Sequence, residues 1–323
     1  MGAESSSAPF HQPNQQIQEI IMANISKAYL AVTDRIIQVI EETNDLPWHR
    51  PWRRGRKMLV GRNHLSQRPY RGINAFTTAL FTDIAGYDSN DWLTFKQAVM
   101  AGGNVRRGEK GIPIVFFSML ARESSEGSDK LSHAIPFAKY SVVFNACQCE
   151  GITYTPLNAP DEPEYQHDPI ARAESLIASF RDKPRISHEI PDQAFYTPIL
   201  DKINVPSLSE FREREAYYAT LFHEFIHATG HKSRLARKSI TEGHGYGTHD
   251  YSKEELIAEL GSCFLSSEAG IISQTLHSSA AYIHHWLKVL RENPHWLVQS
   301  ANAAQRAVEF LIGTTPEPEE ISD

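Results

Sequence analysis

Between Ile17 and Glu42 apolar residues recur at helical spacing, at Ile25, Tyr29, Val32, Ile36, Val39 and Ile40, which predicts one or two amphipathic helices. The preceding residues 1–16 are rich in Ser, Pro and Gln and have no period, so a disordered arm is expected up to about residue 24. After Pro47 the pattern breaks into Trp, Pro, Arg and Gly, which suits an extended basic loop. Asn74–Ala85 and Asp91–Ala101 read as helices, the second capped by Asp91 and stopped by Gly102-Gly103, with Trp92 and Phe95 expected in the core. The runs Ile112–Leu120 and Tyr140–Phe144 alternate like strands across a polar stretch, predicting a wide hairpin. Helices and a hairpin together make the first half α+β.

Residues 155–169 hold four prolines and no period, as a linker does, and divide the chain into domains of residues 25–154 and 170–312. Beyond the linker the pattern predicts a helix at Pro169–Arg181, short strands near Arg185–His188 and Ala194–Thr197, and a long helix over Ser209–Thr229. Further helices are expected over Ser252–Ser267 and from Ser278 to Ile312, followed by a disordered acidic tail, 313–323. A chain of 323 residues with 41% apolar composition can fill two cores. No apolar run reaches the ~18 residues of a membrane span and no leader opens the chain, so a cytoplasmic protein without a membrane partner is expected. Cys147, Cys149 and Cys263 cannot build a disulfide framework and read as buried free thiols.

Net charge changes this picture. The chain carries −7, which by itself argues against nucleic acid, yet Leu46–Arg122 holds thirteen Lys/Arg against four acids. That segment is +9 and the remainder −16. Within it Trp48, Trp52 and Tyr70 are interleaved with Arg50, Arg53, Arg54, Arg56, Lys57, Arg62 and Arg71, and a Gly-rich turn adds Arg106, Arg107 and Lys110. Cations meet phosphates and flat rings stack on unpaired bases, so this mixture predicts binding of single-stranded DNA.

The second half carries His223-Glu224-Phe-Ile-His227. Residues four apart share a helix face, so both imidazoles can address one cation while Glu224 reaches a water beside it. A third ligand is needed. His231 would continue the same face, but Gly230 is expected to end the helix first. Glu255 and Glu259, in the run Glu254-Glu255-Leu-Ile-Ala-Glu259, share a face of the next helix, and one can bind metal while the other orients a histidine. Tyr246 or Tyr251 can donate to a developing oxyanion. Zinc suits two histidines and a glutamate, as do manganese and other divalent ions.

The His-Glu-x-x-His and Glu-x-x-x-Glu pair resembles gluzincins, including lethal-factor-type peptidases, which implies Glu255 as the ligand and Glu259 as the residue orienting a histidine. Over roughly residues 25–312 the chain resembles the ArdC antirestriction family and the N-terminal part of TraC-type plasmid primases. The motifs are Trp48-x-x-Pro51-Trp52, Tyr70-Arg71-Gly72-Ile73-Asn74, Trp92-Leu-Thr-Phe95-Lys96-Gln97-Ala98, Gly103-Asn-Val-Arg-Arg-Gly108-Glu109-Lys110-Gly111, and Tyr217-Tyr218-Ala-Thr-Leu-Phe-His223-Glu224-Phe-Ile-His227-Ala-Thr-Gly230-His231. The resemblance implies a small α+β single-stranded-DNA-binding domain followed by a zincin-like metallopeptidase domain. It also implies protection of incoming plasmid or mobile-element DNA from host restriction. A host restriction or other DNA-associated protein is a candidate substrate for the metal site, which the sequence itself does not name.

Overall fold

The computed structural model describes residues 13–49, 58–121, 134–157, 168–242, 249–271 and 280–314. The expected linker and tail fall largely outside that set.

The first half opens with one helix, α1 (Pro13–Thr43), not two. It begins inside the segment expected to be a disordered arm, because its helical run extends back to a proline, which is tolerated in a helix's first turn. Its buried stripe, Ala28, Val32, Ile36, Val39 and Ile40, repeats at the helical period. Then come β1 (Arg62–Asn63), α2 (Gly72–Ala85), β2 (Asp91–Thr94), α3 (Phe95–Met100), β3 (Asn104–Val105), β4 (Ile112–Ala121), β5 (Ala134–Asn145) and β6 (Cys149–Glu150). A sheet of order β1-β2-β5-β4 lies against α1 and α2, with β2 antiparallel to β5 (Leu93 opposite Phe144) and β4 antiparallel to β5 (Ile112 opposite Val143).

Asp91 is therefore not a helix cap. It opens a strand whose Trp92 and Leu93 are fully buried, and burial in a sheet overrides the local helical reading. The helix starts four residues later, where Thr94 accepts from the Gln97 amide and Gln97 accepts from the Thr94 amide, a reciprocal cap.

The second half comprises α4 (Pro169–Ser179), β7 (Arg185–Ser187), β8 (Phe195–Thr197), β9 (Lys202–Asn204), α5 (Arg214–Thr229), α6 (Lys238–Thr241), α7 (His249–Ala269), α8 (Ala280–Glu292) and α9 (Trp296–Ile312). The long C-terminal helix breaks at Asn293-Pro294, since proline cannot supply the next helical amide bond. A turn at Leu208–Glu210 separates Ser209 from the helix expected to include it. β9 lacked a sequence signal, yet it is the central strand of the order β7-β9-β8.

The two halves share one apolar core. It runs without a gap from Val32 and Ile36 through Phe76 and Trp92 to Phe222, Phe264, Trp286 and Leu297. Polar bonds cross the same boundary: Arg71 pairs with Glu309, Arg291 with Glu41, and His49 with Glu259. Among the described residues no helix is long and apolar enough to cross a membrane. No disulfide joins Cys147, Cys149 and Cys263, of which Cys149 and Cys263 are buried and Cys147 half-buried.

Candidate metal centre

Helices α5 and α7 build the site. They run antiparallel, since Glu254 meets His227 near one end while the Ser262 hydroxyl donates to the Ala219 carbonyl (2.8 Å) near the other. Gly261 makes the approach possible. A β-carbon there would lie 2.6 Å from Ile226 Cγ1, inside van der Waals contact. Gly230 ends α5 in a right-handed conformation (φ −73°), so its lack of a side chain serves close packing instead: a β-carbon would lie 2.5 Å from Ile240 Cγ1.

At this crossing the Nε2 atoms of His223 and His227 are 3.1 Å apart. Glu255 Oε2 is 3.5 Å from His223 Nε2, and Oε1 is 3.4 Å from His227 Nε2. Donors bound about 2.0–2.1 Å from a tetrahedral ion stand about 3.3–3.4 Å from each other, so these three fit one divalent cation. Among the described residues they are the three-ligand cluster of metal-binding dimensions.

His231 is not part of it. Its Nδ1 instead lies 2.7 Å from the Ser233 hydroxyl, past the end of α5.

The residue that orients a histidine is Glu254, not Glu259. Glu254 Oε1 lies 3.3 Å from His227 Nδ1, which leaves Nε2 to face the cluster. Arg237 donates twice to Glu254 (2.6 and 3.0 Å) and Ser239 once (2.5 Å), so the carboxylate is fixed. Glu259, one turn further along α7, is held by His49 Nε2 (2.8 Å) and the Tyr282 hydroxyl (2.5 Å) and acts on His223 only through its charge. The spacing rule selected the residue four from Glu255, but the neighbouring position wraps around the imidazole. Arg237 and Ser239 lie in an irregular turn and α6, where no spacing announces them.

Burial depresses imidazole basicity, yet here it is outweighed. Glu255 lifts His223 above its ordinary value, and Glu254 and Glu255 push His227 up to about 10. Burial likewise works against Glu254, which Arg237 and His227 still pull down to about 2. Glu255 is lowered further by the two histidines, against its own burial. Without a cation the site holds protons, and a cation must displace them.

Glu224 is 6% exposed. Burial raises its carboxyl, while His227 and His223 pull the other way. Tyr251 stands in the first turn of α7, one turn before Glu255 on the same face. Tyr246 lies outside the described residues.

The basic segment departs from expectation. Trp48 (3% exposed) and Tyr70 (7%) are core residues, so neither offers a ring for a base to stack on; Trp48 packs edge-on against Trp286 at 5.7 Å. Large rings are worth more in the shared core than on a wet loop. Arg62 pairs with Asp91 (2.5 Å), Arg71 with Glu309, and Arg106 with Glu109 (2.8 Å). Arg107 and Lys110 are exposed and make no ion pair with the described residues. Arg50, Trp52, Arg53, Arg54, Arg56 and Lys57 lie outside the described residues.

Comparison with known proteins follows the same division. Residues 26–144 match the N-terminal domain of anti-restriction factor ArdC, and residues 171–303 match a zincin-like metallopeptidase domain. A protein of Sinorhizobium fredii designated y4eC is 32% identical over 291 residues, spanning 88% of this chain and 91% of its own. Two Escherichia coli proteins named DNA primase TraC are 32% and 30% identical, but this chain spans only 28% and 19% of their lengths. Crystal structures of the antirestriction ArdC protein from the R388 plasmid superpose with TM-scores of 0.63 (metal-free; 34% identity, 87% of this chain, 95% of that one) and 0.65 (Mn(II)-bound; 33%, 87% and 96%).

Proposed function

We propose, from the premise that this chain belongs to the ArdC family of antirestriction proteins, that it binds single-stranded DNA through its first half and carries a divalent-metal peptidase centre in its second. The observation that carries the second part is the trio His223, His227 and Glu255, with donors 3.1–3.5 Å apart and the Glu224 carboxyl beside them. The biological result is protection of entering plasmid or mobile-element DNA from restriction, with a DNA-associated host protein as the substrate.

A cation held by these three residues, zinc or manganese, supplies Lewis acidity to a carbonyl and acidity to a water. Everything else falls to the chain. Glu224 takes a proton at its carboxylate and returns it to the leaving amine, and its raised basicity suits both transfers. Glu254 fixes the His227 ring through Nδ1. Tyr251 is the donor to the developing oxyanion. The +9 segment delivers the centre to DNA.

A purely structural metal site would leave Glu224 without work, because burying a carboxyl beside a closed site brings cost and no gain. Plasmid transfer into a restricting host, with wild type and Glu224→Gln, tests the reading. Loss of protection with single-stranded DNA binding intact supports a catalytic centre; full protection by Glu224→Gln points to DNA coating alone.

A further inference from the structure

With Trp48 and Tyr70 buried, single-strand binding needs another ring surface. The outer face of the first-half sheet has one. Phe144, Val142 and Tyr140 alternate along β5 and so project to one side. Phe144 is half-buried against a small cluster, Leu93, Ala98, Ala146 and Cys149, part of which is roofed by α3. Past that roof Val142 is 42% exposed and Tyr140 46%, while Val115, the register partner of Tyr140 on β4, is buried. Phe95 is 58% exposed and opens α3 directly after Thr94, the register partner of Val143 on β5. Val99, on the same side of α3 as Phe95, is 51% exposed.

Cations rim this patch. The turn from Arg106 to Gly111 lies against it, since a β-carbon on Gly111 would sit 2.5 Å from Val142 Cγ1 and 3.1 Å from Phe144 Cε1. That turn presents Arg107 and Lys110, and α3 presents Lys96, all exposed and without ion pairs to described residues. The acids nearby are Glu109, engaged by Arg106 and Gln148, and Glu150 on β6. Exposed rings beside unpaired cations match bases flanked by phosphates.

We propose that Phe95 and Tyr140 are the base-stacking platform for single-stranded DNA, with Arg107, Lys110 and Lys96 taking the phosphates. The proposal rests on the single-strand-binding reading above and names the face that does it.

The test is fluorescence anisotropy of the full chain with labelled oligo-dT, an abasic oligomer of equal length, and a duplex. Wild type binds oligo-dT more tightly than either competitor. Phe95→Ala and Tyr140→Ala each weaken oligo-dT binding about five- to 150-fold, the worth of one stacked base, and leave abasic binding unchanged. Phe95→Trp retains the preference. The Arg107→Ala/Lys110→Ala double variant weakens dT and abasic oligomers alike and flattens the salt dependence. Both rings are exposed, so the variants keep the fold, which their thermal midpoints confirm. If wild type prefers oligo-dT and the Phe95→Ala/Tyr140→Ala variant keeps the whole preference, the platform is wrong and single-strand binding survives. If wild type has no preference for oligo-dT, both ideas fall.

Discussion

His49 Nε2 lies 2.8 Å from the Glu259 carboxylate, a buried bond between residues 210 apart that ties the first half of the chain to the helix carrying Glu255. The His49 ring stacks on Tyr282, whose hydroxyl bonds the other oxygen of Glu259. The candidate metal centre is thus anchored to the first half of the chain through its own supporting helix.

His49→Ala removes a buried hydrogen bond to a carboxylate that keeps its Tyr282 partner, so it costs about 1.5–3 kcal/mol of stability. Chemical denaturation measures this. Because both halves share one core, it should also give one transition for the parent protein; two separate transitions would refute the shared core.

Glu254→Gln weakens divalent-metal binding about 10- to 100-fold, the usual effect of losing a partner that orients a histidine ligand. Glu259→Gln changes metal affinity little, because Glu259 bonds neither imidazole. Calorimetric titration with zinc or manganese distinguishes the two, and the reverse ranking would restore the assignment based on spacing.

Gly261→Ala forces a β-carbon against Ile226 Cγ1, 2.6 Å away, where a branched side chain near the backbone has no room to yield. Overpacking of this kind costs about 1–3 kcal/mol. It also separates α5 from α7, so metal affinity falls with stability. A variant with unchanged thermal midpoint and metal affinity would remove Gly261 from the account.

Asp201 accepts from Arg234 Nη1 (2.7 Å) and Nη2 (2.8 Å), and this bond first of all holds its carboxyl below the ordinary range. A depressed carboxyl stabilises the fold above its unfolded-state value, and that contribution disappears as pH falls through the lower folded value. Asp201→Asn should therefore be less stable than the parent at neutral pH, and the two should converge in acid. Denaturation midpoints across that range check the sign.

Much of this was legible in the sequence, and the exceptions share a cause. His223, Glu224 and His227 sit at fixed spacing on one helix, so the chain announces them; Glu255 needed the family resemblance to be chosen over Glu259. Glu254 was missed because its role depends on Arg237 and Ser239, which tertiary folding brings to it. Trp48, Tyr70 and Phe95 were misplaced because a ring's composition and neighbours do not say whether a core lies behind it. Asp91–Thr94 read as helix until pairing with β1 and β5 claimed it. Local pattern identified elements and chemistry, while long-range packing decided which rings are dry.

The central claim is that His223, His227 and Glu255 together hold one divalent cation. Metal content of the purified protein after reconstitution and desalting, measured by mass spectrometry for wild type, Glu255→Gln, His227→Ala and His231→Ala, tests it most directly. The account predicts about one equivalent in wild type and His231→Ala, with near-complete loss in Glu255→Gln and His227→Ala while the folded signal persists. Equal metal content in wild type and Glu255→Gln would contradict it.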